Sequence, residues 1–360
     1  MRSAKAPAMI YFVTHHDTPH PIATAASVGR KEGLADIRLL TYRALFTKRR
    51  APVGHYVFTD FDRLTSYEIE AAEILARRLV EAAPRAKILN RPAMVLERFA
   101  LLRRLAASGL NDFSAYRIDS GDMPQRYPVF IRLEDDCQKP DTALLHSEGE
   151  YRAAITALQA AGLPIKRRIA VEYCAESNAD GYFRKYGVFR IGDRLVPHHL
   201  FHNGDWYVKF ASRQRVAEEA DPFAPEIIAY LENLPHAAEV MQRFEMASID
   251  YGRIDYGFAA GRLQTYEINT NPLVPFRKLP PSTDLARIRR VLFRQRFFGA
   301  FAALDTPVAG PSTIRFALPE PHREHFPTGL DRLHAALNRL GLRRPRFGDP
   351  QQDAISPPRV

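Results

Sequence analysis

At 360 residues the chain has room for two or three subdomains with sizeable cores. Hydrophobic residues at 46% and charged residues at 26% are ordinary for a soluble globular protein, and no apolar run is long enough to span a bilayer, so no membrane partner is expected. The net charge of +10 suits anionic substrates, but the arginines are scattered (Arg77 and Arg78, Arg103 and Arg104, Arg287 to Arg290) with no RNA- or DNA-binding signature, so nucleic acid is not expected as the main partner.

The amino-terminal residues lead only into a short apolar run, Met9–Thr14, which lacks the length of a signal-peptide core and predicts a cytoplasmic protein. Cys137 and Cys174 make no disulfide framework and no metal-ligand spacing, so both read as free thiols. Residues 9–90 alternate strands and helices, which favours a parallel sheet. Met9–Thr14, Arg38–Arg43, Tyr56–Thr59 and Lys87–Asn90 are the strands. Ser66–Ala83 is an amphipathic helix with Ser66 as its expected cap. His15, His16, Asp17 and His20 follow the first strand in a stretch broken by Pro19 and Pro21. A polar loop is the expectation there, with metal ligation or substrate contact as the alternatives.

Met94–Ser108 has the periodicity of a helix ended by Gly109, with Arg98 near its start. Tyr127–Leu133 is rich in β-formers, and alternation sets Phe130 and Arg132 on one face. An arginine among such apolar residues needs a partner if buried, which favours an anion. Glu134–Thr142 follows, acidic and without glycine. Glu148–Ala161 is a helix, and Arg168–Cys174 a strand that carries Glu172. Tyr182–Ile191 and Arg194–Leu200 form a hairpin about Gly192-Asp193, with Arg184 on its first arm. Lys209 lies in the short run Tyr207–Phe210. Pro225–Glu245 is helical with a break at Pro235.

The densest chemistry lies in Arg253-Ile-Asp255 and Tyr266-Glu-Ile-Asn-Thr-Asn-Pro272. The pattern reads as two strands joined by a turn at Ala259-Ala-Gly-Arg262. Period-two alternation points Glu267 and Asn269 the same way, and on a paired antiparallel strand Asp255 comes close to both. Three hard oxygen donors with an arginine two residues from the aspartate suit a divalent metal and a phosphate together. A solvated polar hairpin would carry the same residue types. Ser282–Ala303 and Leu330–Leu340 are the last helices, and the proline-rich end reads as partly disordered.

Arg-x-Asp, a short hairpin and Glu-x-Asn-Thr-Asn-Pro resemble the carboxyl-terminal metal motif of the ATP-grasp superfamily, and looser matches extend over residues 88–278. The resemblance implies an α/β (α+β) ATP-grasp fold. Residues 1–90 would be an N-terminal parallel α/β subdomain. Residues 91–280 would clasp the nucleotide between a lid subdomain (about 91–170) and a metal-bearing subdomain (about 171–280), with a helix and tail at 281–360. It implies ATP and Mg²⁺ (or Mn²⁺) as cofactors, with Asp255, Glu267 and Asn269 as metal ligands and Arg253 on the transferred phosphoryl group. Arg98, Arg132, Arg184 and Lys209 fall where the family presents basic residues, and Glu172 where it has its hinge acid. The glycine-free lid departs from the pattern, and acids there would repel a triphosphate unless a metal or Lys139 offset them. The activity implied is a carboxylate–amine ligase acting through an acyl phosphate on a small acid, amino acid or peptide, in a possible homo-oligomer. A phosphotransferase and a non-catalytic nucleotide binder are the alternatives.

Overall fold

The computed structural model describes residues 9–17, 20–136, 139–207, 222–274, 276 and 283–339. Its first layer is a parallel sheet. Strands β1 (Ile10–Thr14), β2 (Ile37–Thr41), β3 (Arg50–Pro52), β4 (His55–Phe58) and β5 (Ile88–Leu89) come first in the chain, and four of them form a sheet in the order β2-β1-β4-β5. Both faces of this sheet are covered, which is why β1 and β4 read as unbroken apolar runs and not as alternating ones.

Helices α1 (His20–Lys31), α2 (Tyr42–Lys48) and α3 (Ser66–Ala82) connect these strands. Ile10 and Phe12 face one core, which includes Ile22 of α1; Tyr11 and Val13 face another, with Phe46 of α2 and Leu75 of α3. Three local expectations need correction. The run at 38–43 stops being a strand at Thr41, whose hydroxyl accepts from Ala44 N and starts α2. The cap of α3 is Thr65, not Ser66: Thr65 and Glu68 each bond the other's backbone N–H in a capping box. The histidine loop is shorter than expected, because Pro21 sits in the first turn of α1, where its missing N–H costs no hydrogen bond.

Helix α4 (Arg98–Ala107) starts four residues later than its periodicity suggests. The segment before it is held in place by Leu96 N donating to Ala247 O, and Glu97 is extended. Strands β6 (Ala115–Arg117), β7 (Val129–Leu133) and β8 (Arg168–Glu172) make an antiparallel sheet in the order β6-β8-β7, backed by α5 (Glu148–Ala160) through Tyr151 and Leu158.

The third layer is a four-stranded antiparallel sheet of β9 (Phe183–Ile191), β10 (Arg194–Asn203), β11 (Tyr251–Ala259) and β12 (Arg262–Asn269), in the order β10-β9-β11-β12. Between β10 and β11 lie α6 (Ala224–Asn233) and α7 (Ala237–Ala247), separated at Leu234-Pro235 as the proline requires. They pack Ile227, Val240 and Phe244 on the face of Val188, Leu200 and Ile254. The opposite face carries Phe189, which meets α8 (Asp284–Leu304) through Phe293 and Phe297. Phe301 of the same helix reaches Phe12, so α8 fills the space between the parallel sheet and the four-stranded one. Late strand β13 (Thr313–Arg315) pairs with β3, and α9 (Glu320–His325) and α10 (Gly329–Arg339) follow. The carboxyl-terminal residues 340–360 lie outside the described residues. No helix among the described residues is long and apolar enough to cross a membrane.

Candidate active site

Register across the four-stranded sheet decides what meets in its open end. Asp255 on β11 pairs with Glu267 on β12, and Arg253 pairs with Asn269. A register shift follows Asp255, so that Tyr256 pairs with Thr265 and Tyr266 is bulged out. Both Tyr266 and Glu267 then line one cleft, and the Tyr266 hydroxyl passes over Gly257, where a Cβ would lie 2.4 Å from it.

The cleft holds about 980 Å³, the open solvent at its mouth included. It lies between the β6-β8-β7 sheet, the part of the chain where the sequence resemblance implies a lid, and the four-stranded sheet. Phe130, Tyr173, Trp206 and Tyr266 contribute aromatic surface; Arg98, Arg132, Arg184 and Lys185 contribute positive charge; Asp255 and Glu267 sit on the sheet side. Trp206 is 5.2 Å from the Phe130 ring and 5.6 Å, edge-on, from Tyr173.

Asp255 is 2% exposed, buried more deeply than a solvated hairpin face would allow. Arg253 Nε donates to its Oδ1 at 2.8 Å, and Lys185 Nζ is 3.2 Å from Oδ2. Burial alone would raise this carboxyl, but Arg253 and Lys185 hold it below its ordinary value. Glu267 pairs with Arg98. Burial raises it, and the charges of Arg98, Arg132 and Lys185 together leave it lowered. Asn269 turns its Oδ1 to Asn271 N at 2.7 Å and lines an adjoining cleft with Asp62, Glu97 and Arg98.

The basic residues differ in how free they are. Arg98 begins α4 and donates to the carbonyls of Glu134 and Asp136 at 2.7 and 2.8 Å, tying the lid to Glu267. Arg132 donates to the Leu133 and Asp136 carbonyls; burial first, then Arg98, lowers its pKa. Arg184 is clamped between Asp180 and Glu226, both at 2.7 Å. Lys185, which strand alternation turns to the opposite face, is the side chain that reaches Asp255. Lys209 lies outside the described residues.

Glu172 is buried, and its carboxylate accepts from Ser114 N, Arg126 N and the Tyr116 hydroxyl at 2.9 to 3.1 Å. It pins the segment Tyr173–Glu176 that forms a wall of the cleft. The acids of the lid are offset by arginines: Arg117 pairs with Glu134, Arg167 with Asp135 and Arg168 with Asp141. These arginines take the role for which the sequence suggests a metal or Lys139.

His15, His16 and Asp17 bring one ligand atom each within 4.8 Å of one another beyond β1, where His15 N donates to Asp60. Cys174 is a free thiol on the cleft wall, raised to about 11 by burial. Sequence patterns do not single out Lys185, Trp206 or the neighbours His198, half-buried, and His199, buried. Burial pushes both imidazoles well below their ordinary pKa, and Arg253 adds to it. Lys185 shares the face of Asp255 because it lies two residues before Gly187, the partner of Asp255 on β9, a placement that depends on the register between β9 and β11.

No protein-family model and no curated protein matches this sequence. Over most of its length the chain is similar to several solved structures. D-alanine–D-alanine ligase from Bacillus anthracis is 9% identical, over 81% of this chain and 99% of that one, with a TM-score of 0.44. The L-amino acid ligase from Bacillus licheniformis is 11% identical over 86% and 77%, with a TM-score of 0.46. A RimK domain ATP-grasp protein from Sphaerobacter thermophilus is 14% identical over 83% and 100%, with a TM-score of 0.45. By name all three are ligases or ATP-grasp proteins, while the chemistry of the cleft is this chain's own.

Proposed function

We propose that this chain is an ATP- and Mg²⁺-dependent ligase that joins a carboxylate to an amine through an acyl phosphate. The observation that supports it is the cross-strand pair Asp255–Glu267 beside a cluster of cations, in a cleft that also has aromatic walls. Phe130, Tyr173, Trp206 and Tyr266 offer a purine flat surfaces to stack on. Arg98, Arg132 and Lys185 suit a triphosphate. Asp255, Glu267 and Asn269 are hard oxygen donors of the kind that would hold Mg²⁺ or Mn²⁺, and such an ion neutralises phosphate charge during transfer.

The acid's carboxylate oxygen attacks the γ-phosphorus and the bond to ADP breaks. The amine nitrogen then attacks the acyl carbon, inorganic phosphate leaves, and the amine gives up a proton. The protein contributes alignment and charge, which is most of what phosphoryl transfer requires. Arg253 gives its guanidinium to Asp255 and acts on the phosphoryl group by way of that carboxylate, and Arg98 exchanges Glu267 for phosphate oxygens when nucleotide arrives.

The test is to incubate the protein with ATP, Mg²⁺ and a panel of acids, peptides and alcohols in the presence of hydroxylamine. Acid-dependent hydroxamate together with ADP is the expected result. ADP formed only with alcohol acceptors, and no hydroxamate, would make the chain a kinase; ATP binding without turnover across the panel would make it a nucleotide binder.

A further inference from the structure

A second cleft adjoins the first. Arg98 lines both, and Glu267 and Asn269, two residues apart on β12, line one each. The second cleft holds about 540 Å³, its open mouth included. One of its walls is the turn Phe61–Arg63, just past the carboxyl end of β4, where open α/β sheets commonly take their ligands. Asp60 fastens that turn to the segment after β12: its carboxylate accepts from His15 N at 2.8 Å and from Asn271 Nδ2 at 2.7 Å. Asp62 and Thr270 are thereby brought to one cavity.

This cavity has more carboxylates than cations. Glu97, Glu134 and Asp135 line it beside Asp62. Arg117 pairs with Glu134, and the single guanidinium of Arg167 is shared by Glu97 at 3.5 Å and Asp135 at 3.2 Å. Arg98 pairs with Glu267, and Asp62 has no ion-pair partner among the described residues. Thr270 is only 7% exposed, and its hydroxyl has no hydrogen-bond partner among the described residues. An unpaired carboxylate and a buried, unpartnered hydroxyl in one cavity suit a donor that carries positive charge. The rest of the wall is apolar, with Phe61, Val95, Leu96 and Ile268, and a methylene stem packs well on such a surface. A carboxylate or phosphate entering here would meet the same acids and be repelled.

We propose that the second cleft is the acceptor subsite of the ligase and that the acceptor is an alkyl diamine, with one nitrogen reacting at the Arg98 end and the other held as an ammonium by Asp62 and Thr270. This rests on the proposed ligase reaction and narrows its amine. The neutral nitrogen attacks the acyl carbon, the bond from that carbon to phosphate breaks, and the attacking nitrogen gives its proton to solvent. The second nitrogen keeps its charge throughout. The same acids keep the triphosphate in the first cleft, where the unengaged cationic surface lies.

The experiment uses full-length protein with ATP, Mg²⁺ and an acid that yields hydroxamate, and replaces hydroxylamine by diaminobutane, butylamine or aminobutyrate. Amide products are read by mass spectrometry. Wild-type protein is expected to favour diaminobutane over both others by about tenfold or more in kcat/KM, with the difference carried by KM. Asp62→Asn should raise the KM of diaminobutane about tenfold and remove most of its advantage over butylamine. A melting curve shows that this variant is folded; should it fail to fold, Thr270→Val reads the same preference. Equal use of the three amines by wild-type protein, or a preference that Asp62→Asn leaves intact, overturns the acceptor subsite and leaves the ligase standing. Absence of hydroxamate with every acid overturns the ligase reading, and the acceptor role falls with it.

Discussion

Asn90 clasps Tyr251 through both ends of the peptide unit. Its Nδ2 donates to Tyr251 O at 2.7 Å and to Phe58 O at 2.9 Å, and its Oδ1 accepts from Tyr251 N and Asp250 N at 2.8 and 2.7 Å. The side chain is fully buried, just past the end of β5, and all four of these bonds reach other segments of the chain. They fasten the parallel sheet to the start of β11, two residues before Arg253 and four before Asp255.

Asn90→Ala strands two backbone N–H groups and two carbonyls, and it places alanine at a φ of 57°, where asparagine is tolerated better. A loss of about 3–5 kcal/mol is expected in urea unfolding. Asn90→Gly relieves the backbone but not the hydrogen bonds, so it should recover only about 1 kcal/mol of that loss. Recovery of the whole loss by glycine would mean that the four bonds contribute little.

Glu267→Gln and Asp255→Asn separate the metal's role from that of the fold. Glu267 is partly exposed, and its loss leaves Arg98 with its lid carbonyls, so turnover should fall at least about a hundredfold with a stability change within about 1 kcal/mol. On a solvated hairpin face Asp255 would be an exposed position tolerant of isosteric change. It is instead buried between Arg253 and Lys185, and the amide leaves two cations without their carboxylate, at a cost of about 3–5 kcal/mol. Activity assays beside thermal melts read both effects; undiminished turnover in Glu267→Gln would remove the carboxylate from the site.

The pH dependence of stability should show Asp62. Burial, then the neighbouring Asp60, raises its carboxyl to about 6, against ~3.9 in an unfolded chain. The folded state holds the proton more tightly, so this contribution is fully present below pH ~4 and is lost as pH rises through about 6. Asp62→Asn should be more stable than wild type by about 1–2 kcal/mol at pH 8, discounted for the group's partial exposure, with the gap closing toward pH 4. Melting temperatures of both proteins between pH 3.5 and 8 check it, and a constant gap would place the shift elsewhere.

What the sequence could and could not reveal follows from the range of each signal. The approach of Asp255 to Glu267 across two strands was legible because period-two alternation and a short turn are local, whereas the turn of Asn269 toward Asn271 and an adjoining cleft was not. The identity of the cation beside Asp255 was not: choosing Lys185 over Arg184 depends on which face of β9 turns to the cleft, and Arg184 spends its guanidinium on Asp180 and Glu226. His199 was further out of reach, since its place over Gly187 depends on the register of β10 against β9 and on the absent Cβ of that glycine. The burial of Asp255 was hidden for the same reason. The ends of α3 and α4 shifted where a neighbouring residue, Thr65 or the backbone of Ala247, took over a bond that periodicity does not encode.

Arg132 has no ion-pair partner among the described residues and gives its donors to carbonyls at the edge of the cleft, although burial disfavours its charge. A polyphosphate would supply the missing anion, so Arg132→Met should weaken ATP binding about 10–100-fold while leaving the fold intact, and Arg132→Lys should fall between, since ammonium loses the bidentate contact. The chain provides its own reporter. Trp206 is the only tryptophan, and it lines the same cleft against Phe130 and Tyr173. A purine entering there changes the polarity around the indole and shifts its emission, so one titration reads both occupancy and affinity. Emission that responds to ATP equally in wild type and Arg132→Met would take the guanidinium off the phosphates. Emission that does not respond at all, in protein shown by calorimetry to bind ATP, would take the purine away from the aromatic wall.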